Sequence, residues 1–219
     1  MSGSEPSAAP LEVLRTARVW TWGPAEARDA WIVLHGYRQL AGRFLRRFAP
    51  LVDQGVRVVA PEGLSRFYLD DDGGPHGPEA RIGATWMTRE DRDAEIRDYV
   101  RYLDRVWQER LPAAVERVTV LGFSQGVHTA ARWLSFGRGA PARLVLWGAG
   151  LPGDLDLDAV QPRWREVDVV LVHGASDPAH PQAGRARDDA RLRGAGIAFR
   201  RLEHPGGHRI DADLLRTLR

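Results

Sequence analysis

The stretch Arg117-Val118-Thr119-Val120-Leu121 runs straight into Gly122-Phe123-Ser124-Gln125-Gly126, and a helical pattern follows over 125–136. The first five residues read as a buried strand. The pentapeptide then reads as G-x-S-x-G between strand and helix, the pattern of a nucleophile elbow. The reason is steric. A serine on so sharp a turn needs strained backbone angles. Small residues at 122 and 126 let the strand and the helix approach each other. The hydroxyl then projects above the sheet edge, and the Gln125 amide at the helix start points the same way.

Working outward, further apolar runs repeat the strand signature at 31–35, 56–60, 143–147 and 168–173. Each is continuous and rich in Val, Ile and Leu, as in strands buried on both faces of a parallel sheet. Weaker strands at 13–20 and 197–202 flank the set. Helical patterns fall between them, at 41–54, 125–136, 180–193 and 211–218. The clearest runs from Arg89 to Arg110, with Ile96, Tyr99, Val100, Leu103, Val106 and Trp107 on one stripe. Thr88 and Asp91 fit a capping box at its start. The alternation predicts an α/β fold, a mostly parallel central sheet flanked by helices. One long irregular stretch, 61–87, follows the strand 56–60. It should therefore lie at the carboxyl edge of the sheet, where open α/β folds bind ligands.

A serine hydroxyl needs a base, and the base needs an orienting acid. In strand-elbow-helix architectures of this kind they follow in the order Ser, Asp or Glu, His. Asp177 lies on the turn after strand 168–173, and His208 lies on the glycine-rich loop after strand 197–202. Both positions are strand ends, as a site above the sheet requires. Gly206-Gly207 lets the backbone bend before His208. His204 is the competing base, closer to its strand and stiffened by Pro205. Asp154, Asp156 and Asp158 are alternative acids; Asp168 starts its strand at the opposite edge, and Asp188 and Asp189 read as solvated helix positions.

Acyl chemistry also needs two donors aimed at the developing oxyanion. The backbone amides of Gln125 and Tyr37 are the candidates, with Arg38 next after Tyr37. His35 and His173 read as structural histidines that tie down loops at strand ends. Phe67, Tyr68 and Trp86 are candidates for an apolar wall of a substrate pocket. His173, Asp177 and His180 can be drawn as metal ligands, but their spacing matches no compact zinc pattern, so no metal and no cofactor is expected.

Composition narrows the chemistry from the other side. The 219 residues contain no Cys, no Lys and no Asn, so all 31 basic side chains are arginine. That excludes thiolate nucleophiles, disulfides, Schiff-base enzymes, Ser-Lys dyads, Walker A loops and kinase sites. Arg and Asp/Glu alternate, as in Arg89-Glu90-Asp91-Arg92-Asp93, so no nucleic-acid face is expected from the net charge of +2. No apolar run reaches the roughly 20 residues of a membrane span, and MSGSEPSAAP lacks the character of a secretory signal. Residues 1–10 are expected to be a disordered tail, 11–219 a single domain, and the cytoplasm the compartment.

Taken together, Leu34-His35-Gly36-Tyr37, Gly122-Phe123-Ser124-Gln125-Gly126, His173-Gly174-x-x-Asp177 and Gly207-His208 resemble the phospholipase/carboxylesterase branch of the α/β-hydrolases, which includes acyl-protein thioesterases. The resemblance runs from about residue 13 to the C-terminus. It implies an α/β-hydrolase fold with no large cap domain and a serine hydrolase acting on small-molecule esters or thioesters through an acyl-serine intermediate. Trp86 resembles a family aromatic on the acyl side of the pocket. Tyr37-Arg38 departs from the small or Asp-containing loop that thioesterase members carry after His-Gly, which favours a carboxylesterase over an acyl-protein thioesterase. A non-catalytic small-molecule binding protein and a serine peptidase or amidase are the alternatives on this scaffold.

Overall fold

In the computed structural model, which describes residues 7–70 and 75–219, seven strands make one sheet. Its strands are β1 (Val19–Trp22), β2 (Asp29–Leu34), β3 (Arg57–Pro61), β6 (Arg117–Phe123), β7 (Arg143–Trp147), β8 (Asp168–Gly174) and β9 (Phe199–His204). Between β3 and β6 the chain forms a separate hairpin, β4 (Ser65–Tyr68) and β5 (Ile82–Thr85). The spatial order is β1-β3-β2-β6-β7-β8-β9. Only β1 runs antiparallel to its neighbour; all other pairs are parallel.

The helices are α1 (Ala41–Leu45), α2 (Ala49–Val52), α3 (Arg92–Arg110), α4 (Gln125–Phe136), α5 (Leu157–Arg165), α6 (Gln182–Gly194) and α7 (Ala212–Thr217). They explain why the strand runs are apolar without alternation. Ile32, Leu34, Val120, Leu144 and Val169 pack on one face with Tyr99 and Leu103 of α3, Val127 and Trp133 of α4, and Trp164 of α5. Trp31, Val33, Leu121, Val145 and Val170 pack on the other with Phe44 of α1, Leu51 of α2 and Leu215 of α7. Each strand thus buries both sets of alternating side chains.

Several expected elements shift. The helix expected over 41–54 is broken: α1 and α2 are joined by a 3₁₀ turn, Arg46–Phe48. Pro50 lies in the first turn of α2, where its missing N–H costs nothing, but it could not have continued a helix begun at Ala41. The strand expected over 13–20 begins only at Val19. The capping box at Thr88 and Asp91 does not form. Asp91 is left-handed (φ 45°), makes no side-chain cap, and precedes a helix that starts at Arg92. Instead the Thr88 amide donates to the Glu95 carboxylate. Helix α5, which is not among the expected helices, runs unbroken from Leu157 to Arg165 through Pro162; Asp156 caps it through the amides of Asp158 and Ala159.

The irregular stretch 61–87 is more ordered than expected. Its hairpin is tied to the loop after β2, since Arg38 N donates to Ala84 O and Ala84 N to Gln39 O. No large cap covers the sheet edge among the described residues. Of the tail expected over 1–10, residues 1–6 lie outside the described residues, as do Asp71, Asp72, Gly73 and Gly74 of the 61–87 stretch.

Candidate active site

Strand registers bring the ends of β2, β6, β7, β8 and β9 to one edge, with Leu34 opposite Gly122, Phe123 opposite Trp147 and Gly174 opposite His204. Ser124 follows β6 there. Its backbone is at φ 54°, ψ −118°, a region that costs a non-glycine residue on the order of 1–3 kcal/mol. The turn is held by Ser124 N donating to Trp147 O and by Val127 N donating to Ser124 O, both at 2.9 Å. The two glycines meet the steric need read from the sequence. A Cβ on Gly122 would strike Gly126 O, and one on Gly126 would strike Leu34 O.

Asp177 sits on the turn after β8, its amide bonded to Gly174 O. Its carboxylate is buried, Oδ1 accepting from Ala179 N and Oδ2 lying 2.9 Å from His208 Nδ1. The two loops that carry this pair are laced together by Ala175 N to His204 O and Ser176 N to Gly206 O. Gly174 is required for that approach, because a Cβ there would run into Gly206 O. The His208 ring lies over Gly148 (φ 76°), whose added Cβ would come within 3.2 Å of it, and packs 4.8 Å from the Phe123 ring. With Nδ1 facing Asp177, Nε2 has no hydrogen-bond partner among the described residues. No hydrogen bond joins Ser124 Oγ to His208 Nε2 among the described residues.

The competing candidates are committed elsewhere. His204 is buried beside Trp147, and neither ring nitrogen has a hydrogen-bond partner. Burial lowers its pKa. Asp154 bonds Arg132 and Arg92. Burial opposes its ionisation, yet these two arginines hold its carboxyl well below the usual range. Asp168 does lie at the opposite edge, paired with Arg143 and Arg200. Asp188 is not solvated as expected: it is buried, 3.0 Å from His180, and accepts from Leu151 N. Helix α6 is polar nearly throughout, with only Asp188 and Leu192 buried, so no apolar stripe marks that position in the sequence. His173 pairs with Glu203, and the described residues include no cluster of three His, Cys, Asp or Glu that could hold a metal.

His35 ties down its loop as a structural residue. It is fully buried, Nδ1 donating to Gly36 O and Nε2 accepting from Gly63 N. Burial lowers its pKa, which fits the neutral ring these bonds require. The adjacent Gly36 backbone approaches Ser124 so closely that a Cβ on it would lie 3.1 Å from Ser124 Cβ. Next in the chain, the Tyr37 amide donates to no acceptor among the described residues, and neither does the amide of Gln125.

The three aromatics expected as a pocket wall separate. The Phe67 ring stacks 5.4 Å from the half-exposed Tyr37 ring, and Tyr68 stacks on His76. Trp86 is only 2% exposed and so offers almost no surface to a ligand; its indole N–H donates to His35 O at 2.8 Å. The Gln125 side chain has a role that the sequence did not reveal. Its Oε1 accepts from Trp86 N at 3.2 Å, and its Nε2 donates to Met87 O at 2.9 Å. Thr85 Oγ1 completes the contact. Only the fold brings these positions together, so no local pattern could have signalled it.

The architecture is the α/β-hydrolase fold. Comparison with protein-family models and with curated protein sequences finds no match. Solved structures do match over nearly the whole chain. An esterase, PE8, is 21% identical at a TM-score of 0.64, covering 93% of this chain and 96% of its own. Acyl-protein thioesterase 2 of Zea mays is 16% identical at 0.63, covering 93% and 98%. A phospholipase/carboxylesterase of Dyadobacter fermentans is 17% identical at 0.64, covering 94% and 96%. These likenesses extend the fold assignment to an esterase-rich group of structures. Among the described residues no helix is long and apolar enough to cross a membrane.

Proposed function

We propose that this protein is a serine hydrolase of carboxylic esters or thioesters. The observation that carries the reading is the pairing of His208 with a buried Asp177 at the same sheet edge as the strained Ser124. Ser124 Oγ attacks the acyl carbonyl, and His208 Nε2 takes its proton. Asp177 fixes the tautomer that leaves Nε2 bare and stabilises the imidazolium that forms. The amides of Tyr37 and Gln125 receive the oxyanion. His208 then returns the proton to the leaving alcohol or thiol. Water, deprotonated by His208, releases the acyl group from Ser124. The Tyr37–Phe67 pair, next in the chain to the Gly36 backbone that approaches Ser124, supports an apolar group on one side of the scissile bond.

Hydrolysis of short p-nitrophenyl esters by wild-type protein and by Ser124→Ala tests this. The variant should lose turnover while unfolding at the wild-type temperature. Retained turnover in Ser124→Ala sinks the assignment.

A further inference from the structure

The proposed reaction needs its two amide donors at a fixed separation, because both must meet one oxygen at about 2.7–3.1 Å. They sit on different segments. Tyr37 lies on the loop after β2, and Gln125 lies at the start of α4. The β2–β6 ladder that joins those segments ends at Leu34 and Gly122, short of both donors. Beyond that point no backbone hydrogen bond links residues 35–39 to residues 123–126 among the described residues.

Trp86 spans the gap. Its backbone N–H donates to Gln125 Oε1, and its indole N–H donates to His35 O. The ring packs 5.0 Å from the His35 ring, which is itself fixed by Gly36 O and Gly63 N. On either side of Trp86, Thr85 Oγ1 and Met87 O bond the same Gln125 amide. One residue is therefore bonded, at its two ends, to the side chain of one donor residue and to the loop that carries the other. Being buried, it does so without facing substrate.

We propose that Trp86, clamped by the Gln125 side chain, is a positioning residue that sets the spacing of the two oxyanion donors. The inference rests on the acyl-transfer reading above. It assigns Trp86 to the back of the oxyanion hole rather than to a substrate wall. A displacement of one donor by about 1 Å is enough to cost up to 10²-fold in rate.

The test compares wild type with Trp86→Phe, which keeps an apolar ring and loses the indole N–H, and with Gln125→Ala, which keeps the backbone amide and removes the clamp. Active sites are titrated with a fluorophosphonate, and kcat and KM are measured on p-nitrophenyl acetate. Inhibition by an aliphatic trifluoromethyl ketone is measured in parallel. That ketone adds Ser124 Oγ to its carbonyl carbon, passes the hydroxyl proton to His208 and leaves an oxyanion in the hole. Both variants should lose about 10-fold or more in kcat per titrated site, with KM within two-fold. The inhibition constant for the ketone should weaken in the same proportion. A merely structural role would lower the melting temperature and leave kcat and the ketone constant within two-fold, and that result overturns the brace. If Trp86→Phe does not fold, Gln125→Ala decides by the same readouts. A wild-type protein with neither turnover nor labelling overturns the acyl-transfer reading itself, and the brace with it.

Discussion

His208 Nδ1 lies 2.9 Å from Asp177 Oδ2, and the carboxylate is buried while the ring edge remains partly open to solvent. The arrangement has a direction. The carboxylate is enclosed and fixed by Ala179 N, and the ring faces outward. Replacing Asp177 by Asn keeps the shape and presents an amide where the ring N–H must donate. The imidazole then turns to the wrong tautomer. We expect Asp177→Asn to lower kcat by about 10²–10⁴-fold with little change in KM. Steady-state kinetics on a p-nitrophenyl ester check it, and a loss under three-fold would contradict the role.

The two histidines of the last strand and its loop separate cleanly. His208→Ala should reduce turnover by about 10³-fold or more. His204→Ala should keep turnover within a few-fold, because the His204 ring has no hydrogen-bond partner to lose. Its cost should appear in stability, as a cavity beside Trp147. Parallel activity and thermal-melt measurements on the two variants distinguish them. The reverse pattern would exchange their roles.

Much of this was legible in the sequence because it depends on local sterics and strand periodicity. The continuous apolar runs at 31–35, 117–121, 143–147 and 168–173 lie within or largely within observed strands. The rule that a site above a sheet draws on strand ends points to Ser124, Asp177 and His208, and the fold puts all three at one sheet edge with Asp177 and His208 in contact. What could not be read depends on distant contacts. The Gln125 clamp joins residues about 40 apart, and the hairpin β4–β5 consists of two four-residue strands with weak patterns. The break in the 41–54 helix was signalled by Pro50, which falls in the first turn of α2.

The elbow glycines give a stability prediction. A methyl on Gly126 would enter the Leu34 carbonyl, which belongs to β2, held between β3 and β6, and cannot move away. Gly126→Ala should destabilise the fold by about 3 kcal/mol. Urea denaturation monitored by tryptophan fluorescence reads this. A loss below about 1 kcal/mol would mean that the turn relaxes more freely than its contacts imply.

Acid sensitivity follows from the buried histidines. His35 has its pKa lowered by burial, so the unfolded chain binds a proton that the folded chain does not. Unfolding is then favoured as pH falls below about 6.5, the unfolded value, and the loss continues down to the folded value. For His35 the slope approaches about 1.4 kcal/mol per pH unit. His128, His173 and His204 are shifted the same way, chiefly by burial. Stability measured by urea denaturation should fall between pH 7.5 and pH 5.5, and less steeply in His35→Gln. A flat or rising profile over that window would contradict the neutral, buried state of His35.

The central claim is that Ser124 is the nucleophile, and trapping it tests the claim most directly. Wild-type protein is treated with a fluorophosphonate, and the adduct is located by intact mass and peptide mapping. The account predicts a single stoichiometric adduct on Ser124, none on the other serines, and no labelling in Ser124→Ala or after denaturation. Absence of labelling in the folded wild type, or equal labelling of Ser124→Ala, would contradict it.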